Sequence, residues 1–144
     1  MTALTVVGLA LILLAGLVHV YIFLLESVLW RRQGARTFGL PAAEVEPVRP
    51  WAFNQGFYNL FLAVGAIGGS VVAAVGVLAS GSVAAAPLAA ALGIAAFVAA
   101  VMVGASLVLI ATSRAQLRGA LVQGVLPLLG LVGLSIGCFT CAAG

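Results

Sequence analysis

The sequence predicts an all-α integral membrane protein: a bundle of four transmembrane helices with both termini extracytoplasmic. Two observations predict this class. Of the 144 residues, 65% are hydrophobic and 6% are charged, and the apolar residues fall into four long runs. A soluble domain is about 45–50% apolar and about 25% charged. Six basic and three acidic side chains are too few to solvate a surface of this size. That excludes a water-soluble enzyme, a nucleic-acid-binding domain and a disordered tail.

Each of the four runs is long enough to cross a bilayer, for which a helix needs about 20 mostly apolar residues. The first run is broken only by His19, Glu26 and Ser27. It is too long for a secretory signal peptide, and no basic segment precedes it. We therefore predict a single membrane domain. Its spans cover about residues 3–30, 51–79, 88–112 and 119–141, with loops at 31–50 and 113–118.

The arginines predict the orientation of the spans. Loops rich in Lys and Arg stay cytoplasmic. All six basic residues are arginines in the two loops, whereas the N-terminal tail, the 80–87 linker and the C-terminal tail hold no charged side chain. We therefore expect both loops in the cytoplasm and a multi-pass protein of the cytoplasmic (inner) membrane. The arginines are Arg31, Arg32, Arg36, Arg49, Arg114 and Arg118.

Small residues four positions apart recur in three of the spans. They let helix backbones approach closely in lipid. Such patterns favour a tightly packed bundle, and they also offer faces for a homo-oligomer. The residues are Gly65 and Gly69 in the second span, Ala96, Ala100 and Gly104 in the third, and Gly133 and Gly137 in the fourth.

Polar side chains concentrate in the half of the predicted bundle beside the arginine loops. An ionisable side chain in a membrane is costly and usually faces the bundle interior. At 1.5 Å per residue, Glu26 lies roughly 7 Å from the arginine end of its span and His19 roughly 18 Å. Polar residues of the second and fourth spans lie at similar depths, roughly 6–14 Å. They are Asn54, Gln55, Tyr58, Asn59 and Gln123.

Helical phase brings these residues onto common faces. His19 and Glu26 are seven residues apart and share a face, with Trp30 about one turn further on. The polar residues of the second span fall within one arc of about 140°. Gly65 and Gly69 continue roughly that arc outwards. We therefore predict an inward-facing polar pocket, open to the cytoplasmic side and closed towards the outside by small-residue packing.

Each polar feature also has a purely structural interpretation. Glu26 could pair with Arg49, Arg114 or Arg118 near the lipid headgroups. His19 could be a neutral buried residue with one hydrogen-bonding partner. The cluster on the second span could form interhelical hydrogen bonds, which are worth about 0.6 kcal/mol each on average in membrane proteins. Packing alone does not require so many amide and phenol groups at the depth of Glu26, and this coincidence favours a site.

The same residues carry a resemblance to a bacterial four-span membrane protein family, the domain of unknown function 1304. It covers roughly residues 5–135. The chain departs from the family pattern in the third span, where residues 103–106 stand in place of an expected stretch that contains Gly and Tyr. The resemblance implies a small integral protein of the cytoplasmic membrane and no established activity. The motifs are HVYIFLLES from His19 to Ser27, Trp30, Phe38, NQGFYN from Asn54 to Asn59, and Gln123-Gly124 with Pro127.

Cys138 and Cys141 form a CxxC motif at the outer end of the fourth span. A membrane thiol oxidoreductase that passes electrons to quinone needs a second cysteine pair, and the chain has only these two cysteines. A disulfide or two free thiols are therefore favoured. With one histidine and no other ligand cluster, no metal site is expected. We expect no cofactor, with haem on His19 as the one alternative.

Two classes of function remain open, beside a structural or partner-binding protein without a ligand. The first is a pocket that binds or transforms a small lipophilic molecule, with His19 or Glu26 as acid or base. The second is a dimeric, proton-coupled exporter using Glu26, although Glu26 lies away from the midplane where transporter sites usually sit. We expect the half of the bundle away from the arginine loops to be closed. The expected partners are the lipid bilayer and a small lipophilic ligand. The ligand-contacting residues would be Trp30, Asn54, Gln55, Tyr58, Asn59 and Gln123.

Overall fold

The computed structural model describes residues 3–78 and 85–142, and this part of the chain is helical and contains no strand. Four of its helices are long and apolar enough to cross a membrane. The predicted all-α, four-span fold class is therefore confirmed. Residues 79–84, which include the first five residues of the predicted 80–87 linker, and the two chain ends lie outside the described residues.

The first span begins as α1 (Ala3–Phe23) and continues through two π-helical turns, Leu24–Val28 and Trp30–Gly34. A short helix α2 and a 3₁₀ turn lead into the second span, and a further 3₁₀ turn joins the third to the fourth. The remaining elements are α2 (Ala35–Thr37), the turn Ala42–Glu44, α3 (Val45–Leu78), α4 (Ala85–Thr112), the turn Arg114–Gln116 and α5 (Leu117–Ala142).

The four long helices form a ring in which each packs against two neighbours. α1 lies between α3 and α5, and α4 closes the other side by packing against the same two helices. Leu9 and Ile12 of α1 and Met102 of α4 belong to one buried core, which is otherwise made largely of alanine. Small side chains bring helix axes close together, and this close packing holds helices together where lipid supplies no hydrophobic driving force.

The predicted small-residue packing is used at two helix contacts. A methyl group on Gly69 would lie 3.0 Å from the Ala95 backbone nitrogen, so α3 and α4 touch there through their backbones. Gly133 of α5 lies against Gly8 of α1, where a methyl group would be 3.3 Å from the Gly8 Cα atom. Gly104, in contrast, has open space in front of it and joins no helices within the described chain.

α3 begins at Val45, earlier than the predicted start of the second span near residue 51. Proline is tolerated in the first turn of a helix, so Pro47 does not prevent this earlier start. At 1.5 Å per residue, the 34 residues of α3 span about 51 Å. The hydrocarbon core of a bilayer is about 30 Å thick. α3 is therefore longer than the hydrocarbon is thick. Its charged residues, Glu46 and Arg49, lie in its first turns, at what we call the arginine end, the end of the bundle that carries the two arginine loops.

The first arginine loop folds back onto the arginine end instead of remaining an open connection. The Trp30 indole Nε1 donates a hydrogen bond to the Val45 carbonyl over 2.9 Å, which ties the first span to the start of α3. Trp30 stacks on Phe38 with ring centroids 6.3 Å apart. Gly39 has a φ of 73°, which glycine adopts without strain. The loop thus forms a small apolar cluster of its own beside the span.

Candidate functional site

A cavity of about 360 Å³ opens at the arginine end, between the end of the first span, the folded loop and the first turns of α3. Its lining combines one carboxylate and two amides with three aromatic rings and three aliphatic side chains. It includes four of the residues that the sequence predicted for the site, namely Glu26, Trp30, Asn54 and Gln55. The other lining residues are Phe38, Leu40, Val48, Trp51 and Ala52.

Gly56 sets the geometry of this region by allowing α3 to approach the first span. A methyl group on Gly56 would overlap the Ser27 hydroxyl and lie 3.1 Å from the Glu26 Cβ atom. The Ser27 hydroxyl donates a hydrogen bond to the Phe53 carbonyl over 3.0 Å, which fixes the contact. The close approach brings the carboxylate of Glu26 within reach of the polar face of α3.

Asn59 holds the Glu26 side chain in place. Its Nδ2 donates a hydrogen bond to the Glu26 Oε2 atom over 2.8 Å and a second to the Gln55 carbonyl of its own helix over 3.2 Å. Asn59 is only 5% exposed, so this amide is enclosed between the helices. Asn59 therefore positions the carboxylate from behind instead of lining the cavity itself.

No arginine pairs with Glu26 in the described chain, although the sequence left pairing with Arg49, Arg114 or Arg118 open. Arg31 instead forms a bidentate ion pair with Glu46. Its Nε atom lies 2.7 Å from Oε1 and its Nη2 atom lies 3.0 Å from Oε2. Arg49 lies 3.9 Å from the same carboxylate. The hydrogen bond to Glu46 raises the pKa of the Arg31 guanidinium. These are the ion pairs of the described residues, and they lie outside the cavity.

The backbone around Glu26 is wound as a π-helix. The Leu29 N–H donates to the Leu24 carbonyl over 2.7 Å, five residues back, and the Gly34 N–H repeats the pattern to Leu29 at 3.1 Å. π-turns inside α-helices are rare and are found frequently at functional sites. Here the two turns carry Glu26 and Trp30, which both line the cavity.

His19 is not part of the cavity lining. It is 1% exposed, and its Nδ1 atom lies 2.9 Å from the Ala15 carbonyl one turn earlier. A carbonyl can only accept a hydrogen bond, so Nδ1 carries the proton in this arrangement. In residues 3–78 and 85–142, no three His, Cys, Asp or Glu side chains are grouped so that they could hold a metal ion.

Two further residues that the sequence placed at the site lie elsewhere. Tyr58 is 58% exposed on the outer surface of α3, and Gln123 is half-buried on α5, away from the cavity. Conversely, the sequence did not indicate Trp51 or Val48 as site residues. A tryptophan directly after Pro50, where the apolar run begins, is the signal that could have pointed to Trp51, because tryptophan concentrates at membrane interfaces.

A second hollow of about 490 Å³ lies between α4 and α5 towards the other end of the bundle. Its lining is apolar apart from Ser135 and Cys138. It therefore holds no charged or amide group that would orient a polar ligand. Cys138 of the CxxC motif has a free thiol, whereas the side chain of Cys141 lies outside the described residues.

Comparison with known proteins gives one match. The family model described as a protein of unknown function, DUF1304, matches residues 13–135, a stretch that includes the polar motifs and most of all four spans. No curated protein and no solved structure matches the chain.

Proposed function

The chain belongs to the DUF1304 family of unknown function, and from the geometry of its own cavity we propose that it binds a small lipophilic molecule at the arginine end. The arginine loops support a location in the cytoplasmic membrane with this cavity facing the cytoplasm, because such loops stay inside. The observation that carries the proposal is the cavity lining. It places a positioned carboxylate and two amides against aromatic and aliphatic side chains.

The size and chemistry of the cavity agree with a binding role. Small-molecule pockets have volumes of roughly 300–1,000 Å³ and combine mostly apolar walls with a few polar groups that orient the ligand. This cavity has about 360 Å³ and polar groups only from Glu26, Asn54 and Gln55. A molecule with an apolar body and one polar end fits that arrangement better than a uniformly polar or uniformly apolar one.

The packing beyond the cavity supports binding over export. Export would require a polar path from Glu26 to the opposite end of the bundle. In the described part of α3, the buried positions beyond Asn59 are alanines, glycines and one serine. A methyl group on Gly16 of α1 would lie 3.2 Å from the Ala66 Cβ atom, so the two helices are in close contact there. His19 lies outside the cavity, which argues against acid–base catalysis by His19 and Glu26 as a pair.

Both tryptophans of the chain line the cavity, so intrinsic fluorescence reports directly on its occupancy. The experiment titrates bromohexanol, whose bromine quenches tryptophan on contact, into protein purified in maltoside detergent. We expect saturable quenching of Trp30 in a Trp51→Phe variant, because Trp30 is buried beside Glu26. Quenching that rises linearly without saturation would mean simple partitioning into the micelle and would refute the pocket.

The matched variants separate the site from the fold. Asn59→Leu removes the side chain that positions Glu26, and we expect it to weaken bromohexanol binding. Glu44→Gln removes a carboxylate from the exposed turn outside the cavity and should leave binding unchanged. If a Glu26→Gln, Asn59→Leu double variant binds as tightly as the parent, the proposed site is wrong.

A further inference from the structure

This inference rests on the proposed function and concerns the class of ligand that the cavity binds. It is argued from the charged and aromatic side chains that line the cavity. We propose that the pocket takes an amphiphile with a cationic headgroup, a quaternary ammonium or an amine, on a short alkyl chain. The headgroup lies between Glu26 and the tryptophan rings, and the chain lies along the aliphatic wall.

The first argument is the charge of the lining. Glu26 is the one charged side chain among the cavity residues. Arg31 and Arg49, the arginines of the neighbouring loop that approach a carboxylate, are both directed to Glu46. A carboxylate enclosed by protein is stabilised by an opposite charge. The described chain supplies none beside Glu26, and a cationic ligand would.

The second argument is the aromatic lining. The faces of Trp, Tyr and Phe rings attract cations, tryptophan most strongly, and rings grouped around a site recognise quaternary ammonium ions. Trp30, Phe38 and Trp51 all line this cavity. The hydrogen bond from Trp30 Nε1 to the Val45 carbonyl occupies the polar edge of that ring and fixes its plane. An anionic headgroup would instead meet the Glu26 carboxylate and the negative faces of these rings.

The third argument is the apolar wall and its position. Leu40, Val48 and Ala52 provide a surface for an alkyl chain next to the charged end. Trp51 is 77% exposed at the rim, and tryptophan concentrates at membrane interfaces. An amphiphile already held at the membrane surface could therefore enter the cavity headgroup first without crossing the bundle.

The experiment compares two probes of equal chain length, bromohexyltrimethylammonium and bromohexanol, by quenching of tryptophan fluorescence in maltoside detergent. We expect the cation to bind about tenfold more tightly than the alcohol. A tenfold difference in affinity corresponds to about 1.4 kcal/mol, which one partly shielded ion pair and the attraction between the cation and the aromatic rings together can supply. Glu26→Gln should reduce this preference to about twofold or less. The control Glu44→Gln, which removes a carboxylate outside the cavity, should retain the full preference.

A second variant covers the case in which Glu26→Gln fails to fold. Trp51→Leu keeps an apolar side chain at an exposed rim position but removes the ring. We expect it to weaken binding of the cation about threefold or more, through the lost cation–ring attraction, while binding of the alcohol changes little. Trp30 remains as the reporter in this variant.

The outcomes distinguish this inference from the proposed function. If both probes bind saturably with equal affinity and Trp51→Leu weakens them equally, the pocket stands and the cationic headgroup is refuted. If Glu26→Gln leaves the preference for the cation unchanged, the pocket likewise stands, and the pairing of a cationic headgroup with Glu26 is refuted. If neither probe binds saturably, the proposed function fails as well.

Discussion

Replacing Gly8 with alanine tests a close backbone contact between α1 and α5. A methyl group at this position would lie 2.6 Å from the Leu134 backbone nitrogen and 2.8 Å from the Gly130 carbonyl oxygen. Both are main-chain atoms, so neither can rotate away as a side chain would. Ordinary contact begins near 3.4 Å, and the two helices must therefore separate locally by about 0.8 Å.

The magnitude follows from two opposing effects. Forcing an extra methyl group into a packed interior costs typically about 1–3 kcal/mol, and the backbone contacts place Gly8→Ala at the upper end of that range. Alanine in place of glycine inside a helix recovers up to about 1 kcal/mol. We expect a net loss of about 2 kcal/mol in the free energy of unfolding. Gly68→Ala is the matched control, because nothing lies within 4 Å of a methyl group there, and it should be neutral or stabilising.

The assay is reversible unfolding in mixed micelles of dodecyl sulfate and maltoside, followed by far-UV circular dichroism. Both variants are glycine-to-alanine changes in membrane-spanning helices, so their difference isolates the contact between α1 and α5. If Gly8→Ala is as stable as Gly68→Ala, the two helices do not touch through their backbones at Gly8, and the deduced packing of the bundle is wrong.

Three further predictions concern the arginine end, and the same unfolding assay measures each of them. Trp30→Phe keeps a stacking ring but loses the hydrogen bond to Val45, and should cost about 1 kcal/mol; no change would mean that this bond does not hold the loop. Asn59→Leu removes one interhelical hydrogen bond, for which membrane proteins show about 0.6 and at most about 1.7 kcal/mol. A double-mutant cycle with Glu26→Leu should recover a coupling in that range, and zero coupling would contradict the contact. Arg31→Ala breaks an exposed ion pair with Glu46 and should leave stability unchanged; a large loss would show that the pair is enclosed.

The four helices follow from the sequence because they depend on a strong, regular signal. Four apolar runs of sufficient length leave few alternatives to four spans. Glu26 and Asn59 have predicted depths of roughly 7 Å and roughly 12–14 Å from the arginine end of their spans, and their side chains bridge that difference through one hydrogen bond. Seven residues of helix separate His19 from Glu26 by about 10 Å, and the structure accordingly places only Glu26 at the cavity.

The remaining features have no such signal. An arc of about 140° on one helix is wide enough to include Tyr58. The π-turn Leu24–Val28 meets the part of that arc that carries Gly56 and Asn59, whereas Tyr58 is 58% exposed. The folding of the first arginine loop depends on the hydrogen bond between the Trp30 side chain and the Val45 carbonyl. These residues are 15 positions apart, so no local sequence pattern predicts the bond. The residue types in the two π-turns likewise do not distinguish them from regular α-helix.

The π-turn at Leu24–Val28 has a consequence for insertions and deletions in the first span. Such a turn holds one residue more than the α-helical turn it replaces. A chain that lacks one residue within Leu24–Val28 could revert to regular α-helix there and keep the flanking faces in register. The same deletion inside Ala3–Phe23 would rotate everything beyond it by about 100°. Length differences of a single residue should therefore be tolerated at the π-turns of this span and not within Ala3–Phe23.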